Sequence, residues 1–458
     1  MPRTLSLLAA ASFCLLAAAA PCARAEDVKI PFTSKTLPNG LTVILHEDHT
    51  LPIVVVDMTY KVGSRFEQPH RTGFAHLFEH LMFMGTERAP TKMFDVWMEG
   101  AGGRNNAWTS EDRTDYYDIA PPTALPLLLW LEADRQRDLG PLMTLEKLNA
   151  QRDVVRNERR QTSENQPYGK VELRLPELLF PEGHPYHHPV IGSHEDLEAA
   201  AVPDVKEFFA RWYDPANASL VVAGDFDPGV AMQDIEKWFA RVPSRGAPKD
   251  PGAPTFPPPS FDGPATTLKS VVRETMEDRV ELPKVVMAWQ SPKHFAPGDA
   301  ELDVLSSILT FGKASRLYKA LVYDQKLAQS VDASQESGTL GSRFVVEAIA
   351  RPGVPIDKLE AAIDRELAKV RASSVTEEEM TRARNGIQSA FVRGLQGVHQ
   401  RAALLNLYEA EVGDPGFAQK DFDRYTRATA ADVLKVTQRF LDPNARVILR
   451  VVPKGESK

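Results

Sequence analysis

Cysteine is almost absent from this 458-residue chain: the only two, Cys14 and Cys22, fall in the first 25 residues. A disulfide framework or a cysteine nucleophile in the body of the protein is therefore excluded. Excess positive charge is lacking too. Against 54 Lys and Arg stand 62 Asp and Glu, for a net charge of −8, whereas binding nucleic-acid phosphates needs a basic face. Beyond the N-terminal leader no stretch reaches membrane-spanning length without charges, so no transmembrane segment is expected in the mature chain. No phosphate-binding glycine loop, dinucleotide fingerprint or serine elbow stands out.

What is present begins with MPRTLSLLAAASFCLLAAAAPCARA, residues 1–25. Arg3, an apolar run from Leu5 to Ala20 and the small-x-small site Ala23-Arg24-Ala25 make a secretory signal peptide. Pro21 fits lipid attachment at Cys22 badly. Cleavage after Ala25 leaves 433 residues without thiols, and loss of Arg3 and Arg24 moves the net charge from −8 to −10. A chain of this length can rest on its own cores without covalent staples. Export across a bacterial inner membrane to the periplasm is the simplest reading, with eukaryotic secretion as the alternative.

The rest of the chain is written twice. DVKEFFARWYDP, residues 204–215, recurs as DVLKVTQRFLDP, residues 432–443, at an offset of 228. The same offset pairs Arg156-Asn157 with Arg384-Asn385. A period this long means duplicated domains rather than a solenoid. GAPKDPGAPTFPPPSFDGP, from residue 246, is too rich in proline for a helix or an interior strand and reads as a semi-rigid linker. The expected division is signal peptide 1–25, first domain 26–245, linker 246–265 and second domain 266–458. Within the first copy, a hairpin arm is expected around Asn39-Gly40 and a β-rich run at 51–63. Helical periodicity covers 72–84, 125–137 and 144–162, and two short strands are expected within 102–120. Strands and helices mix without strict alternation. The expected fold is α+β, two homologous sandwiches each with a largely antiparallel sheet and packed helices.

GFAHLFEHLMFMG contains His76, Glu79 and His80. Positions i and i+4 share a helix face, so both imidazoles can reach one metal ion, and Glu79 can approach a metal-held water without ligating. Zinc suits two imidazoles plus a carboxylate with a fourth position left open. The helix from Thr144 offers the carboxylate: Leu148, Val155 and Glu158 lie on one stripe, where an acid is costly unless paired or on a metal. A salt bridge to Arg159 or Arg160 is the alternative. The repeat favours the metal, because Glu158 maps to Gly386 and the His76 helix maps near Val304 to Ile308, neither of which carries a ligand. One metal ion per chain is expected. His184, His187 and His188 form a further histidine cluster, read as an ordinary proline-flanked surface loop rather than a second metal site.

FAHLFEHLMFMGT followed by VVRNERRQ resembles the pitrilysin/insulysin family of inverted-motif (H-x-x-E-H) zinc peptidases. The two-domain length resembles the branch that includes mitochondrial processing peptidase and its bacterial relatives. The resemblance covers essentially the whole mature chain. It implies His76, His80 and Glu158 as zinc ligands and Glu79 as the general base. It implies a substrate-pairing edge strand with Asn106 and Ala107 at the contact, and a distal pair, Arg316 and Tyr323, in SRLYKALVY. Many relatives carry a second acid seven residues before the ligand Glu; this chain has Gln151. The loop before Arg316, TFGKAS, has fewer glycines than relatives often show. The function implied is an exported zinc endopeptidase acting on peptides or unfolded segments, working as a homodimer or as a heterodimer with a paralogue. A dedicated processing peptidase and a non-catalytic partner subunit are the alternatives.

Overall fold

The computed structural model describes residues 28–244 and 267–455. The signal peptide and the whole of the proline-rich linker lie outside them. Eleven strands form two sheets among the described residues. The first holds β1 (Thr33–Thr36), β2 (Thr42–Glu47), β3 (Val54–Tyr60), β4 (Arg104–Thr109), β5 (Thr114–Ala120) and β6 (Ala218–Gly224), in the order β1-β2-β6-β3-β5-β4. The second holds β7 (Val272–Asp278), β8 (Lys284–Ser291), β9 (Ala328–Glu336), β10 (Ser342–Ala350) and β11 (Val447–Pro453), in the order β7-β11-β8-β10-β9. Without β1 the two orders superimpose strand for strand. Each sheet has one parallel pair at the equivalent place, β2 with β6 and β7 with β11, and is otherwise antiparallel. The duplication read from the 228-residue offset is thus carried by the topology, and the expected α+β class is the one observed.

The helices of the first copy are α1 (Phe74–Leu81), α2 (Met93–Gly100), α3 (Leu125–Asp138), α4 (Leu145–Arg159), α5 (Lys170–Leu179), α6 (His194–Ala199), α7 (Val202–Trp212) and α8 (Pro228–Phe239). Those of the second are α9 (Asp299–Thr310), α10 (Ile356–Ala372), α11 (Glu377–Gly394), α12 (Val398–Val412), α13 (Ala418–Arg427) and α14 (Ala430–Phe440). The motif that revealed the repeat sits on α7 and α14, whose first and last residues are each 228 apart.

The strand β3 reads VVVDMTY and is buried along its whole length. An alternating strand would bury one face only, so both faces of this sheet must be covered. Val54, Val56, Met58 and Tyr60 enter the core beneath the helices of the first copy. Val55, with Val221 and Ala223 of β6, faces Val398, Ala402, Leu405 and Tyr408 of α12. That helix comes from the second copy. Reciprocally, Val171, Leu175 and Leu179 of α5 cover Val286 and Ala288 of β8 and Val447, Leu449 and Val451 of β11. The first residues of α5 and α12 are also 228 apart, so the two copies have exchanged equivalent helices. On α12, Asn406 Nδ2 donates to the backbone oxygen and Oδ1 of Asp57 at 2.9 and 2.6 Å, and Ser219 Oγ donates to Asn406 Oδ1 at 2.6 Å. These bonds pair Asn406, Ser219 and Asp57 where the exchanged helix buries them.

The exchange bears on the proposed division at 246–265. A fragment of residues 26–245 keeps its own sheet but loses α12, leaving Ile44, Val55, Val221 and Ala223 bare. It is expected to aggregate alone and to become soluble when co-expressed with 266–458. A monomeric, cooperatively melting 26–245 fragment would show that the exchanged helices contribute little.

Candidate metal centre

The helix α1 starts where few residues can. Gly73 adopts φ +86°, and a Cβ there would lie 2.7 Å from the Ile191 carbonyl oxygen, so the helix start is pressed against the 191–192 loop and requires glycine. Its first amides are capped from outside the helix. Gly73 N–H donates to Glu67 Oε2 at 2.9 Å and Ala75 N–H to Oε1 at 2.7 Å, placing a carboxylate at the positive end of the helix dipole. Phe74, Ala75, Leu77, Phe78 and Leu81 turn into the core. Packing of that stripe leaves His76, Glu79 and His80 on the other.

Helix α4 is N-capped by Thr144, whose side chain accepts from Lys147 N–H, and buries Leu148 and Val155. Glu158 follows one turn after Val155 and meets both imidazoles. His80 Nε2 lies 3.1 Å from Glu158 Oε2, and His76 Nε2 lies 3.7 Å from Glu158 Oε1. One donor atom from each residue falls within 4.8 Å of the others, and no other such cluster occurs among the described residues. Four ligands about 2.0–2.1 Å from a tetrahedral zinc lie about 3.3 Å from one another. The two separations, each to a different Glu158 oxygen, lie on either side of that edge, and two imidazoles with a carboxylate suit zinc in chemistry.

The alternative partners of Glu158 are engaged elsewhere. Arg159 donates to Glu164 Oε1 at 2.9 Å and also to the Gly192 carbonyl, while Arg160 donates to Asn157 Oδ1 at 2.8 Å. After Arg159 the helix widens into a π turn, Arg160–Glu164, with Asn165 N–H donating to the Arg160 carbonyl at 2.8 Å. The regular helix expected to Thr162 thus ends beside the carboxylate, as π turns often do at functional positions.

Burial, reinforced by the neighbouring His80, lowers the His76 imidazole to about 4, with Glu158 opposing. At neutral pH it is the neutral form that can ligate. The bond from His80 holds the Glu158 carboxyl below its usual range. Burial pushes Glu79 the other way, against the bond from Thr109. Two acids in one site whose environments push them apart divide into an anion and a proton carrier. Gln151, at the position where relatives often carry an acid, donates to the Met84 sulfur at 2.8 Å, and His76 Nδ1 is buried with no partner among the described residues.

The remaining expected site residues divide. Asn106 and Ala107 lie on β4, at the free edge of the first sheet, opposite Tyr117 and Tyr116 of β5. The segment that carries Arg316 and Tyr323 is not a regular α-helix. Residues 318–324 are π-helical, with Gln325 N–H donating to the Ala320 carbonyl at 3.0 Å. Each such turn takes more residues than an α turn, so seven residues fall short of two turns. Arg316 is the half-buried member, donating twice to Glu379 at 2.7 Å. Tyr323 is the exposed one at 72%. No hydrogen bond or ion pair joins either residue to the His76 cluster among the described residues.

His184, His187 and His188 form no metal cluster. Their loop is more buried than a surface reading allows: His184 is stacked on Phe180 and accepts from Tyr186 N–H at 2.9 Å, and His187 Nδ1 lies 2.7 Å from the Phe180 carbonyl. In the second copy, Val304 and Ile308 are buried apolar residues. A Cβ on Gly386 would meet the Phe311 ring at 3.4 Å. That face keeps a groove of about 610 Å³ but, among the described residues, no ligating set. Two contributors escaped the sequence reading, Glu67 and Thr109. An acid just before a glycine-led helix start signals the first. The second carries no local signal, because its contact crosses from strand to helix.

A duplicated sandwich with an inverted two-histidine helix in one copy defines a class of metallopeptidase fold. Residues 42–184 match the family model described as insulinase (peptidase family M16), and residues 200–387 match the one described as the peptidase M16 inactive domain. The chain belongs to peptidase family M16. It is 28% identical over 409 residues to the zinc protease PqqE of Helicobacter pylori, covering 89% of each chain. It is 24% identical to a probable mitochondrial-processing peptidase subunit beta of Arabidopsis thaliana, covering 89% of this chain and 75% of that one. The crystal structure of a protease from Helicobacter pylori superimposes with a TM-score of 0.85 at 26% identity, covering 93% of this chain and all of the other.

Proposed function

We propose that this chain is an exported zinc endopeptidase that hydrolyses peptides or unfolded polypeptide segments in the periplasm. The observation that carries the reading is the convergence of His76, His80 and Glu158 beside a carboxyl, Glu79, that stays off the ligand set. When bound, zinc would act there as a Lewis acid and make water a stronger acid. Glu79 would take the water's proton and pass it to the leaving amine nitrogen. The open edge of β4 at Asn106 and Ala107 would hold the substrate extended through main-chain hydrogen bonds, which gives loose sequence preference. Arg316, its guanidinium held by Glu379, and Tyr323 would donate to a substrate carbonyl oxygen. Purified protein is expected to carry about one zinc per chain and to cleave quenched peptides, losing activity to chelator and recovering it on zinc addition. A fully metallated protein that cleaves no peptide in a diverse library would instead support the partner-subunit reading.

Glu158→Gln is expected to weaken zinc binding by more than the roughly 10–100-fold typical of losing an outer-shell partner. Glu164→Gln should not, because Glu164 is engaged with Arg159 and His194 at 2.9 and 3.0 Å. Zinc retained under graded chelator measures both. Equal retention in Glu158→Gln and the parent protein would remove Glu158 from the ligand set.

A further inference from the structure

We infer that Thr109 is a positioning residue for Glu79, fixing the base relative to the strand on which substrate is laid. The inference rests on the peptidase reading and adds to it the element that aims the base.

Thr109 is the last residue of β4. Alternation along a strand puts it on the same face as Ala107, which packs against the first core, and α1 lies against this strand. Thr109 Oγ1 is 2.6 Å from Glu79 Oε2, a contact between residues 30 apart in sequence. The direction of the bond follows from the two acceptors within reach of the Thr109 hydroxyl. Thr114, opposite Thr109 in the β4–β5 ladder, lies 3.4 Å away through its Oγ1 and donates to the buried Val62 carbonyl at 2.9 Å. A hydroxyl has one hydrogen. Thr114 Oγ1 and Glu79 Oε2 both offer lone pairs to that of Thr109, and the carboxylate, nearer at 2.6 Å against 3.4 Å and the stronger acceptor, takes it. Oε2 is thereby tied down. Oε1 makes no hydrogen bond to protein among the described residues and is the oxygen left to take a proton.

The consequence is mechanical. The strand that carries Asn106 and Ala107 ends in the hydroxyl that holds the base, so seating a peptide on β4 and aiming Glu79 are performed by one element. Placement errors of about 1 Å at a reacting group cost on the order of 10²-fold in rate. A hydroxyl that acts only on aim should change kcat and leave substrate binding alone.

Thr109→Val removes the hydroxyl and keeps the branched shape, while Thr109→Ser keeps the hydroxyl. Thr109→Val is expected to lower kcat by about 10–100-fold with KM changed by less than about twofold. Thr109→Ser should stay within about threefold of the parent protein. In a Glu79→Gln background Thr109→Val should cost nothing further, since its effect passes through the carboxylate. Crystal structures of the zinc-loaded parent and Thr109→Val proteins give a readout apart from activity, and the Glu79 carboxylate should leave its position in the variant. A Thr109→Val kcat within about twofold of the parent, or equal losses in the Val and Ser variants, overturns the inference. If the parent cleaves no peptide, the peptidase reading falls and the crystal structures alone decide: a displaced Glu79 sustains the positioning role and an unmoved one ends it.

Discussion

Glu79→Gln is expected to lower turnover by about 10²–10⁴-fold, the range for removing a general base, while zinc content stays at the parent value. The substitution changes little else. The amide has the shape of the carboxylate, its oxygen can still accept from Thr109 Oγ1, and the metal set of His76, His80 and Glu158 is untouched. What it cannot do is take a proton from water near neutral pH. The environment of Glu79 suits proton transfer, because burial raises its carboxyl above the ordinary range, toward the working pH where such transfer is most effective. Glu158, held low by the bond from His80, is poorly suited to it. The measurement is kcat for a quenched peptide alongside zinc by elemental analysis. Near-parent cleavage by a fully metallated Glu79→Gln protein would transfer the base role to another group.

The second large effect concerns two chains rather than one. The candidate metal cluster lies on α1 and α4 of the first copy, while Arg316 and Tyr323 lie in the second copy, with Arg316 tied to Glu379 and neither bonded to the cluster among the described residues. By the family resemblance, the longer four-domain relatives bring the equivalent pair to the zinc from their last domain, across a chamber. A two-domain chain can reproduce that arrangement by pairing the second domain of one protomer with the first domain of another, and a closed two-fold dimer then has two such sites. His76→Ala and Arg316→Ala should each be nearly inactive alone. After mixing and subunit exchange, half the dimers are mixed, and each holds one intact site of two. Activity should recover to roughly a quarter of the parent value. Exchange verified by mass, with no recovery, would place the whole site within one chain or remove Arg316 from it.

The parts of this protein that were legible in its sequence are those whose information is local. His76, Glu79 and His80 sit within five residues of one helix, where 3.6-residue periodicity alone puts both imidazoles on one face. The hairpin at Asn39-Gly40, the strands at 104–109 and 114–120 and the helix starting after Thr144 announce themselves through turn, alternation and capping residues. Glu158 was reached by a longer step, from a carboxylate on a buried stripe and its loss at Gly386 in the second copy. Its actual surroundings needed coordinates, because only the fold shows that Arg159 and Arg160 turn to other acceptors.

Composition, the 228-residue repeat and the inverted histidine motif by themselves determined the duplicated α+β architecture and the place of a single candidate metal centre. Tertiary structure alone decided the exchange of α5 and α12 between the two sheets, the π turns after Arg159 and around Tyr323, the capture of Arg316 by Glu379 and the bond from Thr109 to Glu79. The physical reason is common to these. A helix shows which of its faces is apolar, but not which of two equivalent sheets will cover it. A hydroxyl or guanidinium likewise shows what it can donate, but its acceptor is chosen by packing between segments 30 to 63 residues apart.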